Sequence, residues 1–215
     1  MKPRDISKAA LKRLPTYLTY LKAIPRGAPP YISATALAAA LNLGEVQVRK
    51  DLAMVSNGGR PKVGYLRKNL IADLEYFLGC HHTDEAVLVG AGKLGRALIG
   101  HKGFGEYGLK IVAAFDADEA LDGQYEGSTP IYSISRLEDF CKDHRVLIGI
   151  ITVPGQAAQS VCNLLVKSGV KAIWSFAPTF LEVPPDILVQ YEDMAASMAV
   201  LSVHLAAEIH RKEQA

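Results

Sequence analysis

Cysteine is scarce in this chain of 215 residues: Cys80, Cys141 and Cys162 are an odd number, with no Cys-x-x-Cys spacing. That disfavours both a disulfide framework and a zinc finger, and a reducing cytoplasm is the expected setting. Long apolar runs are missing too. None reaches the ~18–20 residues of a membrane span, so no membrane partner is expected. The opening MKPRDISKAALKRLP lacks the apolar core of a secretory signal. Charged residues make up only 21% against 49% hydrophobic, which excludes a disordered chain and leaves a globular one.

What is present is a division of charge hidden by the total of +2. Residues 1–80 hold 13 Lys+Arg against 5 Asp+Glu, and residues 81–215 hold 11 against 17. A basic N-terminal third on an acidic remainder fits a polyanion-binding module joined to something else.

Within the basic third, Ile6, Ala9, Ala10, Leu14, Tyr17, Leu18, Leu21 and Ile24 recur at helical spacing, so residues 5–24 read as an amphipathic helix that Pro15 kinks or splits. After the break RGAPP, Ser33 caps a short helix over 33–41. Asn42-Leu43-Gly44 turns, and a second short helix covers 45–55. A turn-rich segment, Asn57 to Tyr65, reads as a small basic hairpin, and residues 66–79 as a connecting helix. Helix, turn, helix, basic hairpin is the outline of a winged helix-turn-helix, whose second helix enters the major groove. The candidate DNA contacts are Ser33, Gln47, Arg49, Lys50, Arg60, Lys62 and Tyr65. Gln47 suits an adenine edge, Arg49 guanine or phosphate, Lys50 phosphate, and the wing-tip Arg60 and Lys62 the backbone or minor groove. His81-His82-Thr83-Asp84 is a polar hinge. No further ligand lies near its histidines at metal spacing, so no metal site is expected there.

Beyond the hinge, the apolar run Ala86–Val89 is followed by Gly90-Ala91-Gly92-Lys93-Leu94-Gly95 and then by a helix. This is G-x-G-x-x-G between a strand and a helix, where the first glycine allows a tight turn, the second admits a pyrophosphate, and the third lets helix and strand pack closely. A second strand, residues 110–115, ends at Asp116, 21 positions after Gly95, where an acid accepts from the adenosine ribose hydroxyls. Its charge disfavours a 2′-phosphate, so NAD and NADH are the expected cofactors. Strands at 146–153 and 172–176 alternate with helices, which gives a doubly wound parallel sheet of Rossmann type. Thr152-Val153-Pro154 and Phe176-Ala177-Pro178 stand at strand carboxyl ends and are expected near the nicotinamide half.

From Glu192 to Lys212, Met194, Met198, Leu201, Leu205 and Ile209 form an apolar seam on one long helix. A dimer is expected, with this helix as its contact, reading the two half-sites of a palindromic operator; packing within its own chain is the alternative. The fold class is therefore α/β: a winged helix-turn-helix over 1–80, a Rossmann domain over 81–190 and a dimerisation helix over 191–215. Two rival functions stand beside a sensor. An NAD-dependent dehydrogenase needs a placed acid–base, for which only His101 and His144 offer, and a substrate domain for which no room remains. A DNA-binding protein using the nucleotide structurally is the other. No catalytic residue is expected.

Taken in order, VQVRKDL, GGRPKVGY, VLVGAGKLGRAL, FD, ITVPGQAAQ and IWSFAP resemble the Rex redox-sensing transcriptional repressors over residues 5–210. The resemblance implies a cytoplasmic homodimer whose C-terminal helix is swapped into the partner. It implies binding of operator DNA when NADH is scarce and release when NADH binds. It places the pyrophosphate on Gly90–Gly95, the ribose on Asp116, and Asp193 and Met194 where the helix meets the partner's DNA-binding domain and nicotinamide pocket. The chain departs from the family pattern at Lys93 and Ser175, where Asn is usual, at His101, where Tyr is usual, and at Val55-Ser56, where the wing usually has Phe-Gly.

Overall fold

In the computed structural model, which describes residues 6–213, the chain divides into two compact units. One runs up to Thr83 and takes in Gly105–Gly108; the other comprises Asp84–Phe104 and the chain from Leu109 onward.

The first unit opens with α1 (Lys8–Ala23), capped by the Ser7 hydroxyl, which accepts from the Ala10 amide. Ala10, Leu14, Tyr17, Leu18 and Leu21 form its buried stripe. The expected kink or break at Pro15 does not divide the helix, which runs through it. Pro15 forgoes a bond to the Leu11 carbonyl, and it does so where Leu11 lies on the exposed side of the helix. The expected start at Asp5 lies outside the described residues. Then come β1 (Tyr31–Ile32), α2 (Ala34–Ala40), α3 (Glu45–Val55), β2 (Tyr65–Leu66) and α4 (Arg67–Phe77). Strands β1 and β2 pair antiparallel, and the segment between α3 and β2 closes on an Arg60↔Gly64 bridge. Leu37, Val48, Leu52, Leu70 and Leu74 meet the α1 stripe in one core. This is the winged helix-turn-helix that the sequence outlines.

One charged group breaks that core. Asp51 of α3 is only 3% exposed. Its carboxylate accepts from Arg13 Nε at 2.8 Å, from Arg13 Nη2 at 2.9 Å and from the Tyr17 hydroxyl at 2.7 Å. A buried carboxylate is tolerated only when so completely partnered. Burial, and then the bond to Asp51, push the Tyr17 phenol up to about 12. The bond to Asp51 likewise raises Arg13.

The second unit is a seven-stranded sheet in the order β5-β6-β4-β3-β7-β8-β9. Its elements are β3 (Asp84–Val89), α5 (Lys93–Ile99), β4 (Leu109–Asp116), β5 (Tyr125–Glu126), β6 (Thr129–Ser133), α7 (Leu137–His144), β7 (Ile148–Ile151), α8 (Gly155–Lys167), β8 (Ala172–Ser175) and β9 (Leu188–Tyr191); α6 (Gly103–Glu106) straddles the unit boundary. All neighbours are parallel except β5, which forms a hairpin with β6. Alternate residues of β3 serve the two faces: Val87 and Val89 pack under α7 and α8, Ala86 and Leu88 under α5. The strand order reverses between β3 and β7, which leaves a crevice at their carboxyl ends. The final helix, α9 (Met194–Glu213), is exposed on every side: Met194, Met198, Leu201, Leu205 and Ile209 are all uncovered by their own chain. Among the described residues no helix is long and apolar enough to cross a membrane.

Asp51→Ala leaves the Arg13 charge and the Tyr17 hydroxyl without their shared acceptor and is expected to destabilise the protein by about 3 kcal/mol in urea unfolding. Tyr17→Phe is expected to cost about 1 kcal/mol at neutral pH. Because folding holds the Tyr17 pKa up at about 12 from 10.0, its contribution is complete below 10.0 and fades as pH rises through about 12. The stability gap between wild type and Tyr17→Phe should therefore shrink over that window. A gap that is constant across it contradicts the assignment.

Candidate nucleotide and DNA sites

The crevice is built from backbone and two side chains. Gly90 has φ +106, and a Cβ there would lie 2.9 Å from the Thr152 carbonyl carbon and from Val153 Cγ1. Gly95 is tighter still: its Cβ would fall 2.0 Å from the Gly90 oxygen, so α5 can press on the strand end only without one. Gly92, by contrast, has nothing within 4 Å on its Cβ side, which leaves the outer edge of the turn open to a ligand. The Thr152 hydroxyl donates to the Gly90 carbonyl at 2.7 Å and ties the turn to the end of β7. Asp116, at the end of β4, does more than wait for a ribose. Its Oδ2 accepts from the Ala91 amide at 2.6 Å and its Oδ1 from the Asp118 amide at 2.9 Å. A carboxylate offers about four lone-pair sites, so acceptor capacity remains for ribose hydroxyls.

The remaining candidates divide by exposure. Lys93 is exposed on the first turn of α5, and Leu94 is half-buried behind it. Ala91 and Ala177 face the two cores, so only their backbone is available to a ligand. Thr152, Val153 and Phe176 are half-buried around the crevice, while Pro154 and Pro178 are exposed at the starts of the following segments. Pro178 approaches Gly155, which brings the loops after β7 and β8 together. Phe176 continues a ladder of rings: its centroid lies 4.7 Å from Trp174, Trp174 lies 5.5 Å from Phe104, and Phe104 lies 4.9 Å from His101. His101 stands just beyond α5. These groups fit a dinucleotide: an open glycine turn for the pyrophosphate, an acid for the ribose, and an aromatic wall for the nicotinamide half.

In the first unit a groove of about 540 Å³ opens between α2, α3 and the wing. Five of the seven expected DNA contacts line it: Ser33, Arg49, Arg60, Lys62 and Tyr65. Ser33 already serves as the α2 cap, accepting from Ala36 N at 3.0 Å, which leaves its hydroxyl proton free to donate to a phosphate. Arg49 is ion-paired with Glu45 one turn earlier. Tyr65 belongs partly to the core, with its phenol over Gly59 of the wing; burial raises its pKa. Lys50 is exposed outside the groove. Gln47 differs from expectation. Its amide oxygen, in the orientation that satisfies both partners, lies 2.7 Å from Arg13 Nη1. Its oxygen therefore ties α3 to α1, while the side chain itself remains exposed. Thr35, which lines the groove beside Ser33, went unnoticed in the sequence; its one signal is its place just after the cap. At the far end of the chain, Asp193 caps α9: its Oδ1 accepts from Ala196 N at 2.8 Å. Met194, Met198, Leu201 and Leu205 follow on the exposed helix.

Comparison with known proteins bears on both sites. The CoA binding domain family matches residues 81–179. A family described as a DNA-binding protein N-terminus matches residues 5–53. The redox-sensing transcriptional repressor Rex of Treponema denticola is 42% identical over 194 residues, 90% of this chain and 92% of its own. Rex of Carboxydothermus hydrogenoformans is 38% identical over 205 residues, 95% of this chain and 99% of its own. Among solved structures, RSP in complex with β-NAD+ and operator DNA superposes with a TM-score of 0.88 at 29% identity, covering 98% of this chain and 97% of that one. RSP in complex with β-NADH gives the same TM-score and identity over 99% and 100%. On identity sustained along nearly its whole length, the chain belongs to the Rex family of redox-sensing transcriptional repressors.

Proposed function

We propose that this protein is a cytoplasmic repressor that senses the NADH/NAD+ ratio, holding operator DNA when NADH is low and leaving it when NADH binds. The observation that carries the reading is the open glycine turn at the β3–β7 crevice, joined in one chain to a basic groove on a winged helix. We assign residues 1–80 to DNA, 81–190 to NAD(H) and 191–215 to dimerisation. The pyrophosphate rests on Gly90–Gly95, with Gly92 at its open edge and the Lys93 ammonium beside it. Asp116 accepts from the adenosine ribose and repels a 2′-phosphate, favouring NAD(H) over NADP(H). Thr152, Val153, Pro154, Phe176, Ala177 and Pro178 surround the nicotinamide half.

The two redox forms differ at one ring, charged in NAD+ and neutral in NADH. A half-buried wall of Phe176 and Val153 disfavours the charged ring, because desolvating a charge is costly. Lys93 attracts the pyrophosphate of either form and so tightens both without discriminating. Thiol chemistry is a poor alternative sensor. Burial pushes the Cys141 thiol up to about 11 and raises Cys162 and Cys80, so little nucleophilic thiolate is present at neutral pH.

On the DNA side, Arg49, Lys50, Arg60 and Lys62 are the cations for phosphate and base edges, with Ser33 and Tyr65 as hydroxyl donors. The exposed seam of α9 is covered by a second copy of the chain, swapped into it, with Asp193 and Met194 at the point of entry. The resulting twofold protein reads a palindromic operator.

The reading is tested by fluorescence anisotropy on a palindromic operator that the protein itself selects from a randomised duplex pool. NADH added over a constant NAD+ background should release the DNA, while NAD+ alone should not; equal retention in both overturns the reading. Arg60→Ala and Lys62→Ala should each lower the slope of log affinity against log salt by about 1, with nucleotide affinity unchanged. Gly92→Asp, which meets no steric obstacle, should abolish NADH-driven release while operator binding persists. Truncation before Glu192 should yield monomers in analytical ultracentrifugation; a stable dimer without α9 places the interface elsewhere.

A further inference from the structure

The chain crosses between its units three times, at Thr83–Asp84, Phe104–Gly105 and Gly108–Leu109. The first and third crossings enter neighbouring strands at paired positions, Asp84↔Leu109. The second lies inside the short helix α6. Each side of it carries an aromatic anchor. Phe104 packs against the α5-side core of the second unit, edge-on to Trp174, and so backs the ring ladder that ends at Phe176. Tyr107 packs against the core of the first unit, and its hydroxyl lies 3.2 Å from the Thr19 hydroxyl on α1. Thr19 stands two positions beyond Tyr17, on the helix whose Arg13 and Tyr17 grip Asp51 of the DNA-reading helix α3.

The two anchors are three residues apart, so no more than ~11 Å of chain can ever separate them. A relative displacement of the units must therefore either move both anchors together or break one. We propose that Phe104 and Tyr107 are a coupling strap: a shift of Phe176 and Trp174 on nicotinamide binding is carried by Phe104 through Gly105-Glu106 to Tyr107, and from there to α1 and α3. The strap rests on the NADH-sensing reading above. It makes Tyr107 and Thr19 positioning residues that touch neither coenzyme nor DNA. Their substitution alters how strongly one site answers the other, not how tightly either binds alone.

Three quantities test this: NADH affinity without DNA, operator affinity without nucleotide, and the NADH concentration that half-releases the selected operator. Tyr107→Phe keeps the ring and removes the bond to Thr19. Thr19→Val removes the same bond from an exposed helix face, and serves should ring substitutions unfold the protein. Each should leave the first two quantities within about twofold and raise the third by roughly fivefold, the worth of one hydrogen bond. The double variant should go no further than either single one. Phe104→Leu should raise half-release in the same direction. Half-release unchanged in Tyr107→Phe or in Phe104→Leu overturns the strap, as does a fall in free NADH affinity that accounts for the whole effect. Wild-type protein indifferent to NADH overturns the sensing reading itself, and the strap with it.

Discussion

The arrangement depends on how closely α5 can approach the end of β3. With a Cβ at Gly95 the helix would have to retreat from the Gly90 carbonyl, and the crevice at the reversal of strand order would open out. With it absent, the turn is clamped from two sides. Thr152 holds the Gly90 carbonyl from β7, and Asp116 holds the Ala91 amide from β4. The turn is thus held from both sides without any ligand, and its outer edge at Gly92 is left open. Preorganisation of this kind lowers the ordering cost of binding and lets a small difference at a distant ring be felt.

The DNA-reading unit solves a different problem. Its recognition helix must be oriented firmly, yet it carries exposed cations that repel one another. A buried carboxylate supplies the fixed point: Asp51 ties α3 to α1 through Arg13 and Tyr17, and Gln47 adds a polar brace on the same side. Arg49 and Lys50 are left exposed on α3. Separating the cations of residues 1–80 from the acids of residues 81–215 keeps the nucleic-acid reader positive while the coenzyme unit stays acidic and unattractive to DNA.

Much of this was legible in the residues. The glycine turn, the apolar strands of the sheet centre and the Ser33 cap each have a local cause, and each formed where its cause lies. What escaped has causes elsewhere in space. Pro15 reads as a kink or a split because the rule concerns a lost bond, and only the fold reveals that α1 continues through it undivided, with Leu11 on its exposed side. Asp51 reads as one more polar residue on α3 until Arg13 and Tyr17 arrive from 38 and 34 positions away. The hairpin β5–β6 and the edge strand β9 are short, and their exposed faces carry residues such as Tyr125 and Leu188 that blur the alternation. Gln47 has the chemistry for a base edge, but its partner on α1 is invisible to helical periodicity.

A regulator that trades one ligand for another obeys reciprocity: if NADH weakens the grip on DNA, DNA must weaken the grip on NADH by the same factor. The most direct measurement is therefore the dissociation constant of NADH, by calorimetry, for the free protein and for the protein saturated with its selected operator. The account predicts clearly weaker NADH binding in the DNA complex, with NAD+ showing little difference between the two states. Identical NADH constants with and without operator would contradict it.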